Sequence, residues 1–166
     1  MKISKKKIAR RAEGQSTKRK AKWPIACPNC GGKVRMTKRA GRTLRFRNID
    51  GLPVPDDLGI PECDQCGEMF MDAAVAARID KAMHEVYQQD LKTRAQAAIA
   101  AIIERGVTQQ RVEEVLGLSQ GYLSKVRHGS TNVTPLLVSQ LWRLSKSPVR
   151  QIRELEKYWE HSATMS

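Results

Sequence analysis

The sequence predicts an α+β fold, a small β-hairpin domain held by a metal and followed by an all-α domain, and three observations predict it. All four cysteines fall in two Cys-x-x-Cys pairs, Cys27/Cys30 and Cys63/Cys66. Between the pairs, Val34 and Met36 alternate with Lys33 and Arg35, and Leu44 and Phe46 with Arg45 and Arg47. From Asp72 onward the apolar spacing changes to that of helices, punctuated at Gly106, Gly117, Gly129 and Ser147-Pro148.

The elements follow in chain order. Residues 1–22 hold ten of the 30 Lys and Arg and a single acid, Glu13, so that segment carries +9 of the formal +13. Its few apolar groups bury too little surface to offset ordering entropy, which predicts a disordered or transiently helical basic tail. A cationic tail favours a polyanionic partner, because neutralising phosphates releases condensed counterions.

Residues 23–71 form the metal segment. Period-two alternation on both sides of Ala40-Gly41 predicts a β-hairpin with one buried face. Asp50-Gly51, Pro53, Pro55 and Gly59 predict turns before the second cysteine pair. A unit this small has a thin core and needs a staple. Two residues between cysteines let both thiolates of one turn reach the same ion. Two such turns complete a tetrahedron with Zn–S near ~2.3 Å. One structural Zn²⁺ held by Cys27, Cys30, Cys63 and Cys66 is therefore expected. Four thiolates also suit iron, which the donor set leaves open. Four protein ligands leave no open coordination position, which points to structural and not catalytic metal.

Asp72 is placed to cap a helix whose stripe runs Val75, Ile79, Met83 and Val86, and Ala95, Ile99 and Ile102 continue it to a stop at Gly106. The polar stretch Gln88–Thr93 between the stripes reads either as a hinge or as part of one long helix. Residues 72–92 are taken as a helical linker and 93–160 as the following domain.

Within that domain, Thr108 is placed to cap a first short helix with Val112, Val115 and Leu116 inward. Gly117 permits a sharp turn over Leu118, and Ser119 is placed to cap a second helix with Leu123 and Val126 inward. That leaves Gln120, Gly121, Ser124 and Lys125 outward, short or hydrogen-bonding groups suited to base edges in a major groove. The segment Thr108–Gly129 resembles the helix-turn-helix of the Cro and lambda-repressor-like (XRE) family over about residues 93–147. The resemblance implies base contacts from Gln120 and Lys125 with help from Ser119 and Ser124. Arg127, His128, Ser130 and Asn132 would lie near phosphates. Glu113 stands where that family has a small residue, so its carboxylate is expected to turn sideways to solvent. Leu137, Leu141 and Leu144, then Ile152, Leu155 and Trp159, complete the helical core; Trp142 or Trp159 could instead serve a dimer interface.

The whole layout is similar to the MqsA family of bacterial antitoxins with their YgiT-type zinc domain. Cys27-Pro28-Asn29-Cys30-Gly31-Gly32, Asp50-Gly51-Leu52-Pro53-Val54-Pro55 and Cys63-Asp64-Gln65-Cys66-Gly67-Glu68 carry the likeness over about residues 23–150. It implies a homodimeric repressor that binds double-stranded DNA through its helical domain and a toxin protein through its zinc domain. The basic tail and the cations Arg35, Lys38, Arg39, Arg42, Arg45 and Arg47 depart from that pattern. A stand-alone XRE-type regulator with a structural zinc domain and no toxin is the alternative.

An enzyme is not expected. His84, His128 and His161 are scattered, and no Gly-rich phosphate loop appears. Glu113-Glu114 are helical neighbours that point about 100° apart. With no export signal, no membrane-spanning run and cysteines at metal spacing, a reducing bacterial cytoplasm is the expected compartment.

Overall fold

The computed structural model describes residues 23–163; the basic tail and the side chain of His161 lie outside the described residues. Among the described residues five short strands precede five helices. They are β1 (Ile25–Ala26), β2 (Lys33–Thr37), β3 (Thr43–Phe46), β4 (Ile49–Pro53) and β5 (Ile60–Cys63), then α1 (Ala73–Glu104), α2 (Gln109–Val115), α3 (Tyr122–Arg127), α4 (Pro135–Lys146) and α5 (Pro148–Ala163). This is a mixed fold, a small antiparallel sheet region followed by helices. Among the described residues no helix is long and apolar enough to cross a membrane.

The strands do not pair as the sequence predicts. In place of a β2–β3 hairpin there are two sheets, β1-β2-β5 and β3-β4. β2 lies antiparallel to β5, with Val34 opposite Cys63 and Thr37 opposite Ile60. The physical reason is the cysteine pairs: each sits at the end of this sheet, and bringing them together aligns the strands that adjoin them. β3 takes as its partner the next segment, β4, with Leu44 opposite Leu52 and Phe46 opposite Ile49. Asp50-Gly51 therefore lies inside a strand instead of a turn. Gly51, at φ 70°, absorbs a left-handed backbone there. The tight turn sits earlier, at Arg47-Asn48, where Arg47 itself is left-handed at φ 54°.

α1 answers the question left by the polar stretch. It is one unbroken helix of 32 residues, so the division drawn between residues 92 and 93 falls in its middle. Asp72 caps it as predicted, its Oδ1 accepting from the Val75 N–H at 2.7 Å. The buried stripe runs Val75, Ile79, Met83, Tyr87, Leu91, Ala95, Ala98, Ile99 and Ile102. Val86 packs against this core from its edge, while Tyr87, absent from the predicted stripe, is the residue fully buried there. The Tyr87 ring meets Phe46 edge to face, and its hydroxyl donates to Asn48 Oδ1 at 2.7 Å. That polar partner lets a tyrosine be fully buried.

One hydrophobic core runs from Ile49, Leu52, Val54, Leu58 and Ile60 through the α1 stripe to Leu123, Val126, Leu141 and Ile152. The 72–92 segment is thus no spacer but a wall of that core, shared between β4, β5 and the later helices. Cys27, Val34 and Cys63, with Trp23 and Phe70 against them, form a separate small cluster under the cysteine pairs.

Candidate metal centre and nucleic-acid interface

The two cysteine turns are built alike. In the first, the Cys27 N–H donates to Gly32 O at 2.7 Å and the Gly31 N–H to Cys27 O at 2.9 Å. In the second, the Cys63 N–H donates to Glu68 O at 2.9 Å and the Gly67 N–H to Cys63 O at 3.1 Å. Gly31 and Gly67 hold the matching left-handed positions, at φ 75° and 72°. Gly32 is there for a different reason: a Cβ on it would come within 3.0 Å of Cys63 Sγ and of the Gln65 side chain. The turns are tied to each other by the Lys33 N–H donating to Asp64 Oδ1 at 2.9 Å and the Asp64 N–H to Lys33 O at 3.0 Å.

The four sulfurs converge. Cys27 and Cys66 approach to 3.7 Å, Cys30 and Cys63 to 3.4 Å, and all four Sγ atoms lie within 4.8 Å of one another. A tetrahedron of thiolates around zinc has edges of ~3.8 Å, so this cluster is positioned to bind a metal ion. The thiols do not titrate alike. The backbone N–H groups of Cys66 and Gln65 lower Cys63 to about 7. For Cys66, the Glu68 N–H acts downward, but the hydrogen bond shared with Cys30, desolvation and the remaining thiols push it up to about 12. Close-packed sulfurs cannot all ionise against one another; a cation among them removes that repulsion.

The predicted cationic surface of this region is largely engaged within the chain. Glu62, buried, accepts from Arg39 Nη2 at 3.0 Å and from Arg42 Nη2. Arg45 pairs with Asp50 at 3.3 Å and Arg35 with Asp64 at 4.0 Å. Arg47 lies over the Phe46 and Tyr87 rings, 5.4 and 5.2 Å from their centroids.

The second region is α2, the turn at Gly117 and α3. Thr108 caps α2 as predicted, its hydroxyl accepting from the Arg111 N–H at 3.3 Å. Leu123 and Val126 are buried; Leu118 is only partly so. Gln120 and Lys125 are exposed, as are Ser119, Arg127, His128 and Asn132, while Gly121 and Ser124 are half-buried. All eight predicted contact residues therefore lie on α3 or the turns that flank it. His128 Nδ1 is 2.7 Å from Ser124 O, and Asn132 O accepts from the Tyr122 hydroxyl at 3.4 Å.

Two expectations about this region are corrected. Ser119 does not cap α3, because the helix begins later: Gly121, left-handed at φ 78°, is its N-cap and brings no side-chain bond. Glu113 does not turn to solvent. It is 3% exposed, and its carboxylate accepts from the Gly121 N–H at 2.9 Å and the Leu123 N–H at 2.8 Å. The carboxylate of α2 thus does the capping that the α3 sequence leaves undone. The only sequence signal was an acid on the inward side of α2 opposite a helix start occupied by glycine.

Comparison with family models, with curated proteins and with solved structures gives no match to this chain.

Proposed function

We propose that the chain is a zinc-containing, sequence-specific DNA-binding transcriptional repressor, acting as a homodimer, and that it serves as the antitoxin of a type II toxin–antitoxin operon. The observation that carries the DNA reading is the α2–turn–α3 unit. It presents Gln120 from the turn and Lys125 from the short helix α3, whose other face, Leu123 and Val126, is locked in the core. Read as a helix-turn-helix, it puts α3 in a major groove, with Gln120 and Lys125 at base edges and Arg127, His128 and Asn132 along phosphates.

Zinc is proposed for the cysteine cluster because donor set and sulfur spacing suit a closed tetrahedral site, whose work is to hold residues 23–71 together. Trp142 and Trp159 are both exposed, at 57% and 55%, so Trp159 lies outside the core it was expected to complete, and Trp142 is proposed for the dimer contact. Trp159 is tied down, its indole N–H donating to Val115 O at 3.2 Å. The antitoxin role rests on the likeness to the MqsA layout. One observation favours the stand-alone regulator instead: β4 and β5 share a single core with the helices, and most of the cations between the cysteine pairs are internally paired.

Two experiments test these readings. Gln120→Ala is expected to lower affinity for a preferred duplex by about tenfold, as loss of a bidentate base contact does, with random duplex little changed. Equal losses on both would remove Gln120 from the base-reading set. Co-expression with the neighbouring gene decides the partner. A small protein co-eluting stoichiometrically supports the antitoxin, and a metal-loaded dimer alone supports the stand-alone repressor.

A further inference from the structure

α3 is too short to stand by itself. A helix of six residues has no independent stability, and its N-cap glycine offers no side chain. Its two ends are instead held by groups from other helices. At the N-terminal end Glu113 of α2 accepts from Gly121 and Leu123, with Gln109 Nε2 also within 3.3 Å of its carboxylate. At the C-terminal end two residues of α1 donate to carbonyls of the last turn and of the loop just past it, where Val126 O also accepts from the Gly129 N–H at 3.0 Å. Gln96 Nε2 reaches Arg127 O at 2.9 Å and Val126 O at 3.4 Å, and Lys92 Nζ reaches Gly129 O at 3.3 Å. The signs suit the helix: a carboxylate at its N–H end, an ammonium at its carbonyl end.

We propose that Glu113, Gln96 and Lys92 are positioning residues that fix the orientation of α3, and so determine how well the chain discriminates among DNA sequences without touching DNA themselves. The inference rests on the DNA-binding reading above. Base contacts need side chains placed within a fraction of an ångström, whereas phosphate attraction tolerates looseness. Loosening either end therefore costs specific binding and spares non-specific binding.

The test uses the full chain with its metal, a duplex enriched by the wild-type protein from a random library, and a scrambled duplex of equal length. Glu113→Gln keeps the volume but replaces one accepting oxygen with a donor that faces the N–H groups. Gln96→Ala removes the C-terminal hold from a half-buried site on α1, where alanine favours the helix. Each is expected to weaken binding to the enriched duplex by about tenfold or more while changing the scrambled duplex by less than about twofold. Amide hydrogen exchange at Gly121 and Leu123 should quicken in Glu113→Gln and at the end of α3 in Gln96→Ala, with metal content unchanged. Equal losses on both duplexes, or faster exchange with discrimination intact, overturn the positioning role. Unchanged exchange overturns the clamp itself. A wild-type chain that enriches no duplex instead overturns the DNA-binding reading, and the inference falls with it.

Discussion

Leu91 sits in the middle of Gln88–Thr93, the most polar stretch of α1, yet it is 2% exposed and continues the buried stripe from Tyr87 to Ala95. One apolar residue among polar ones leaves no periodicity to read; only the four-residue step from Tyr87 places it. Leu91→Ala is expected to cost about 2–5 kcal/mol, measured as a lower denaturant midpoint with an unchanged slope. The cysteines were the opposite case. Their type and spacing allow one arrangement, and the structure brings all four sulfurs together. Cys30→Ser removes one of the four candidate ligands, and if the cluster holds a metal, whose affinity is folding free energy in units this small, residues 23–71 should lose both metal and cooperative melting. A Cys30→Ser protein with stoichiometric metal and an unchanged melt would refute that role. Glu113 was legible as an anomaly but not as a cap, because its partners are the N–H groups of residues eight and ten positions on.

Among the elements, the helices were largely legible and the sheets were not. Helix limits are set locally, by Asp72, Thr108, Gly106 and Pro148, and those signals hold. Strand partners are set by contacts distant in sequence, and alternation alone does not say that β2 belongs with β5. The docking of α5 shows a similar long-range tie. Arg111 of α2 donates Nε and Nη2 to the Glu156 carboxylate at 2.7 and 2.8 Å. That hydrogen bond, more than the charge alone, holds Glu156 below its ordinary value of 4.5. A depressed carboxylate contributes stability that is present above the unfolded value and is lost as pH falls through the folded one. Acidification below about 4.5 should therefore loosen α5, and Glu156→Gln should flatten that part of the stability–pH curve. Both partners are partly exposed, so the effect is small at neutral pH. An identical acid limb in the variant would show that this pair does not contribute.

For the whole molecule, α1 is the member that joins the strands to the later helices, the long-helix alternative of the two that the polar stretch left open. Its first half packs on the strands next to the metal turns and its second half carries Lys92 and Gln96 beneath α3, so the two units share one core and one helix. Composition shows the change from strands to helices but not that a helix spans both. The charge is also divided at this scale: of the formal +13, all but +4 lies in residues 1–22, outside the described residues. The tail is expected to supply sequence-independent affinity and α3 the discrimination. The most direct measurement is enrichment of duplexes by the full-length, metal-loaded chain from a random library at near-physiological salt. The account predicts recovery of a two-fold-related sequence with half-sites about one helical turn apart, whose enrichment Gln120→Ala abolishes. Recovery of no preferred sequence, with binding that depends only on salt and duplex length, would contradict it.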